Sequence, residues 1–134
     1  MIYKKGFSIV ELLVVIAIIG ILSSVQIVRL NQAREKAKIA TLQEALSSAI
    51  SLAILCFDGE NDIIDSTGTI CNGTTNWEPQ SLFCTNDIEE WPKLTNGAVA
   101  GVCNSDRLNN QFSFSAEVAG TTVTCSQNGC TKSP

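Results

Sequence analysis

The chain has 134 residues, a net charge of −4, six cysteines and no histidine. That length holds one small domain beside whatever its apolar start does, since a domain takes roughly 100–200 residues, and without histidine no Ser-His or Cys-His catalytic pair exists. Beyond Phe57 ten carboxylates face three cations, a balance of −7, which repels a phosphate backbone and excludes non-specific nucleic-acid binding through that part.

The first element in chain order is an aliphatic run. From Ile9 to Leu22 only Glu11 and Gly20 interrupt it, and Val25, Ile27, Val28 and Leu30 extend it towards bilayer-spanning length. A carboxylate inside such a span costs about 2.5–3.5 kcal/mol on insertion scales, so Glu11 needs a partner. A secretory signal peptide fits poorly, because Leu22-Ser23-Ser24-Val25 makes a weak small-x-small cleavage site and Glu11 would sit inside the apolar core. No cysteine stands near the run, which excludes a lipoprotein anchor. Lys4 and Lys5 precede it, whereas Arg29, Arg34, Lys36 and Lys38 follow, so charge bias alone places the C-terminal side in the cytoplasm. The cysteines place it in an oxidising compartment instead, and six thiols in an acidic, turn-rich segment are the stronger indicator.

The stretch Lys4-Lys5-Gly6-Phe7-Ser8-Ile9-Val10-Glu11-Leu12-Leu13 resembles the class III signal of type IV pilins and pseudopilins. The resemblance implies cleavage between Gly6 and Phe7 by a prepilin peptidase, N-methylation at Phe7, and an assembly role for Glu11, four residues beyond the new terminus. Glu11 would neutralise the Phe7 amine of an adjacent subunit. Physics supports that pairing: an α-ammonium in hydrocarbon is as costly as a carboxylate, and breaking a buried pair leaves an unpaired charge at roughly 3–5 kcal/mol. The plainer alternative is that Glu11 favours its own helix N-terminus, worth about 0.3–1 kcal/mol. The family's usual proline is replaced here by Val28.

After the run the period changes. Ile39, Leu42, Leu46, Ile50, Ala53 and Phe57, with Ala45 and Ala49, form a stripe at helical spacing, opposite Lys36, Lys38, Gln43, Glu44, Ser47, Ser48 and Ser51. This predicts one helix from Phe7 to Phe57, ended by Asp58-Gly59. The expected organisation is a leader over 1–6, a transmembrane and filament-core helix over 7–30, its amphipathic half over 31–57, and a disulfide-rich head over 58–134.

In the head, Asp58, Glu60 and Asp62 alternate like calcium ligands, but Gly59 is misplaced for an EF-hand loop and no glutamate closes it. A polar loop ending the helix is the expectation there. Asn72-Gly73-Thr74 is a formal glycosylation sequon. Alternation predicts a hairpin of 111–118 and 121–126 and a third strand near Ala98–Cys103, with 58–97 mostly loop. Cys56, Cys71, Cys84, Cys103, Cys125 and Cys130 are the disulfide candidates, since no C-x-x-C pair suggests zinc. A near-neighbour guess pairs Cys56–Cys71, Cys84–Cys103 and Cys125–Cys130.

The fold class expected is α+β and type IV pilin-like: a long N-terminal helix whose C-terminal half packs on a small antiparallel sheet, with a disulfide-stapled head. The implied function is a non-enzymatic filament subunit with no metal or cofactor. Its implied partners are further copies in a helical homo-oligomer, other pilins, the prepilin peptidase and methyltransferase, the assembly platform, and the cytoplasmic membrane before export to a surface filament. The alternatives are a minor pilin or type II secretion pseudopilin, or a membrane-anchored binding module.

Overall fold

The computed structural model describes residues 6–86 and 89–134. Its compact units are two, one ending at Glu35 and one running Lys36–Pro134. Helix α1 spans Ile9–Asp58. Five strands follow: β1 (Asn72–Asn76), β2 (Val99–Asp106), β3 (Gln111–Val118), β4 (Thr121–Ser126) and β5 (Gly129–Ser133). They form one antiparallel meander in the order β1-β2-β3-β4-β5.

The hairpin of 111–118 and 121–126 forms as its alternation predicts, and the third strand runs three residues beyond Cys103. Phe112, Phe114, Ala116 and Val118 of β3 point inward with Val123 and Cys125 of β4. They meet Leu42, Leu46, Ala49, Ala53 and Cys56 of α1 in one core cluster, with Ile39, Ile50 and Phe57 half-buried at its margin. Two alanines on the buried stripe carry little side-chain bulk, so helix and sheet can approach closely. Each fully buried large side chain contributes about 1.5–3 kcal/mol.

The helix does stop at Asp58, but not as a glycine stop. Glu60 takes the left-handed conformation (φ 58°). The Asn61 N–H reaches the Cys56 carbonyl at 2.9 Å and the Glu60 N–H reaches the Phe57 carbonyl at 3.0 Å, the double closure of a Schellman motif. Gly59 stands one residue before the position that most favours glycine.

Between α1 and β2 the chain is pinned by aromatics. Trp77 and Trp91 stack at 4.6 Å, and Phe83 and Phe114 close around Trp91 at 4.3 and 5.5 Å. Both indole N–H groups are satisfied: Trp77 donates to the Ser115 carbonyl at 2.8 Å and Trp91 to the Ile64 carbonyl at 2.9 Å. Burying the rings therefore costs no unmade hydrogen bond.

Gly101 is where this packing admits no side chain. A Cβ there would stand 2.5 Å from Ser115 Oγ and 3.1 Å from the Ser115 carbonyl oxygen, the oxygen that holds Trp77. The hydroxyl can rotate away, but the backbone cannot. Gly101→Ala is expected to lower head stability by about 1–3 kcal/mol, read as a fall in thermal midpoint with loss of near-ultraviolet dichroism from the tryptophans. An unchanged midpoint would contradict this packing.

Three disulfides join Cys56–Cys84, Cys71–Cys103 and Cys125–Cys130. Only the last matches the near-neighbour pairing. The reason is a fold-back after α1: Ile63 pairs with Cys84 and Ile64 with Ile70 in isolated bridges, while the Ser105 N–H donates to the Cys71 carbonyl at 3.0 Å. That places Cys84 by the helix end and Cys71 beside β2.

Asp65 organises the fold-back. Its side chain is buried, and Oδ1 accepts from the Thr67 N–H (2.8 Å), the Thr67 hydroxyl (2.6 Å) and the Thr69 N–H (3.1 Å). The Thr67 hydroxyl and the two backbone donors outweigh burial and hold its pKa down to about 2, from an ordinary 3.8. Because the folded value is the lower one, its stabilisation is complete above the unfolded pKa and is lost as pH falls from about 4 through about 2. It is worth on the order of 2 kcal/mol. Asp65→Asn should remove most of that acid sensitivity from the unfolding free energy; an acid limb identical to that of the unmodified chain would refute the assignment.

Candidate functional site

Residues 9–22 form a helical stretch that is apolar on every side, broken only by Glu11 and Gly20. Its large side chains are about half exposed or more, from Val15 at 48% to Ile9 at 78%. An all-round apolar helix belongs in a protein core or a bilayer. An 18-residue window of α1 is apolar enough to cross a membrane, and none of that window is buried.

The start of α1 is built by two side chains. Ser8 occupies the cap position: its Oγ accepts from the Val10 N–H at 3.3 Å, and its carbonyl takes the Leu12 N–H at 3.3 Å. Glu11 reaches back, its Oε2 accepting the Ser8 N–H at 2.9 Å. This is a capping-box arrangement in which the Ser8 hydroxyl takes the Val10 N–H in place of that of Glu11. The helix accordingly begins at Ile9 and not at Phe7, because Ser8 is spent on the cap.

Phe7 lies just ahead of the cap, 81% exposed, with Gly6 exposed beside it. The chain segment on which processing is expected thus stands outside the helix as accessible backbone. Lys4 and Lys5 fall outside the described residues. Glu11 has two uses open to it: it already satisfies a backbone donor of its own helix, and it carries a negative charge at the apolar end of the span. Sequence reasoning passed over Ser8, although S-x-x-E before an apolar run is the usual signal of this cap.

Among its described residues the head offers no comparable arrangement. Asp62, one of the alternating acids, pairs instead with Arg107, whose Nε donates to its Oδ1 at 3.2 Å. Among the described residues no group of three or more His, Cys, Asp or Glu side chains is placed to hold a metal ion. Asn72 of the sequon is exposed, its Oδ1 accepting from the Thr74 N–H (3.0 Å) and hydroxyl (2.6 Å).

Residues 1–25 match the prokaryotic N-terminal methylation motif. This is the class III prepilin signal of type IV pilins and pseudopilins, and it sits here on an α+β, pilin-like fold. No curated protein and no solved structure matches the chain. The matched motif covers 25 of the 134 residues, and motif and apolar helix fit a membrane-anchored precursor.

Proposed function

We propose that the chain is a structural subunit of a type IV pilus-like filament. It is made as a membrane precursor, cut between Gly6 and Phe7 by a prepilin peptidase, and N-methylated at Phe7. It then assembles through the segment 7–30, with further copies and other pilins drawn from the membrane by the assembly platform into a surface filament. The observation that carries this reading is the coincidence of the methylation motif over residues 1–25 with an apolar helical run, Ile9–Leu22, exposed on every side, whose first turn holds Glu11.

The mechanism follows from charge. Cleavage converts the Phe7 amide into an α-ammonium at the apolar end of a helix. In hydrocarbon that charge and the Glu11 carboxylate of a neighbouring helix lower each other's cost when the two helices pack with a small axial offset. Such a pair adds modest net stability but sets register, because every other offset leaves two charges unpaired.

Gly6→Val tests the processing step. A branched side chain at the cleavage position should leave the chain at its precursor mass in the membrane fraction, with little or none in sheared filaments. Normal filaments containing the cut chain would overturn the proposed site.

A further inference from the structure

Four cations follow the apolar run: Arg29, Arg34, Lys36 and Lys38, offset only by Glu35, so residues 29–38 carry a balance of +3. All four are exposed on α1, and none makes an ion pair or a side-chain hydrogen bond among the described residues. Orientation does not account for them. The cysteines put this side of the span in an oxidising compartment, and cations there oppose the charge bias that orients a membrane anchor. A charged helix face can simply be solvated; a surface of equal and opposite charge on the head is the second observation.

Residues 78–93 carry Glu78, Asp87, Glu89 and Glu90 against Lys93, a balance of −3. Glu78, Glu89 and Glu90 are exposed, and the backbone that bears them is fixed. The Glu78 carbonyl accepts the Ser81 N–H at 3.2 Å and the Glu89 carbonyl the Phe83 N–H at 2.8 Å. Glu90 pairs with Leu82 in an isolated antiparallel bridge, and the buried Trp91 beside it donates its backbone N–H to the Ser81 carbonyl at 2.8 Å. None of these three carboxylates is engaged by a side chain or backbone donor among the described residues. Other acids of the head are already engaged: Asp62 pairs with Arg107, Asp65 is buried against Thr67 and Thr69, and Asp106 holds Asn109 through both oxygens. Residues 78–93 thus form an anionic surface with its carboxylates unspent.

We infer that residues 29–38 of one copy dock against the 78–93 surface of a neighbouring copy in the filament. This rests on the filament reading above and adds to it a contact between the helix of one subunit and the head of another. Packing makes the contact necessary as well as possible. Loss of residues 1–6 removes Lys4 and Lys5 and takes the net charge from −4 to −6, and subunits of one sign repel when brought together. Of the seven cations that remain, four lie in 29–38, while Arg107 is already paired. Setting that segment against 78–93 turns the repulsion into attraction at each subunit. Two different surfaces are joined, a heterologous contact that propagates along a row of copies where a two-fold contact would stop at a pair.

Charge exchange in the full-length chain in its native cell tests the contact. Lys36→Glu/Lys38→Glu should cut recovery of the chain in sheared filaments on the order of tenfold, while the membrane pool is still processed to Phe7. Removing cations from that side of the span favours its orientation, so insertion is not what is lost. Glu89→Lys/Glu90→Lys should lower recovery likewise and leave the thermal midpoint of the head unchanged, since both side chains are exposed. The chain carrying all four substitutions should regain filament recovery, because every copy then bears both reversed surfaces. Undiminished recovery of Lys36→Glu/Lys38→Glu overturns the contact. A fourfold variant that stays out of filaments also overturns it and leaves anionic lipid headgroups, which no change in the head can rescue, as the partner of 29–38. Both results let the filament reading stand; an unmodified chain absent from filaments overturns the two together.

Discussion

Glu11→Val is expected to abolish filament assembly while the precursor still inserts, is cut and accumulates in the membrane. Removing the carboxylate eases insertion by about 2.5–3.5 kcal/mol, so the membrane pool should hold or rise. In the assembled state each Phe7 ammonium would then lie unpaired against hydrocarbon, at roughly 3–5 kcal/mol per contact, or a factor of about a hundred to several thousand in the assembly equilibrium. The capping box gives Glu11 a second role that this variant also removes, and Glu11→Gln separates the two. A glutamine oxygen can still accept the Ser8 N–H that Glu11 takes at 2.9 Å, but it brings no charge. Assembly lost in both variants identifies the charge pair; assembly kept in Glu11→Gln reduces Glu11 to a cap worth about 0.5–2 kcal/mol. Ser8→Ala breaks the other half of the box and should weaken the first turn without stopping assembly.

Removing Cys71–Cys103 should cost the head far more than removing Cys125–Cys130. The sequence separations are 32 and 5, and loop-closure entropy assigns about 3.7 and about 2 kcal/mol to such loops. Burial widens the gap: Cys71 and Cys103 are both buried, whereas Cys130 is half-exposed, so serines in the first pair leave two hydroxyls in the core. For a head of this size about 1 kcal/mol moves the midpoint by roughly 4–8 °C. The Cys71→Ser/Cys103→Ser chain should therefore melt lower by roughly 15–30 °C, and the Cys125→Ser/Cys130→Ser chain by about half of that. Thermal melts of the full-length variants in detergent decide it, and equal losses would mean that loop length is not what these bridges act through.

Legibility in the sequence followed periodicity. The stripe predicted over Ile39–Phe57 and the alternation of Phe112-Ser113-Phe114-Ser115 each bury one face at a fixed spacing. In the stripe Leu42, Leu46, Ala49 and Ala53 are buried, Ile39, Ile50 and Phe57 stay at the margin, and Cys56 joins from outside the predicted set. The all-apolar run is helical but buries no face. The strands that were missed have no such face. β1 is Asn72-Gly73-Thr74-Thr75-Asn76, mostly exposed, and it is a strand only because β2 lies beside it. β5 is half-exposed to exposed throughout and follows from the turn at Gln127-Asn128. Disulfide pairing was illegible because it depends on the fold-back around Asp65, whose hydrogen bonds reach only four residues along the chain yet move Cys71 and Cys84 to new neighbours. At the N-terminus the residue types are readable, but Glu11 stands out first as a carboxylate in hydrocarbon, which masks the local cap signal it makes with Ser8.

Intact mass, non-reduced and reduced, of protein sheared from the surface of the native cell as filaments separates a processed filament subunit from an uncut anchor. The expected result is a single chain beginning at N-methylated Phe7 and heavier on reduction by the hydrogens of three disulfides. A chain found only in membranes and still beginning at Met1 would contradict it. A mature Phe7 chain confined to membranes would keep the processing and place the protein among minor pilins or pseudopilins instead of the filament's main subunit.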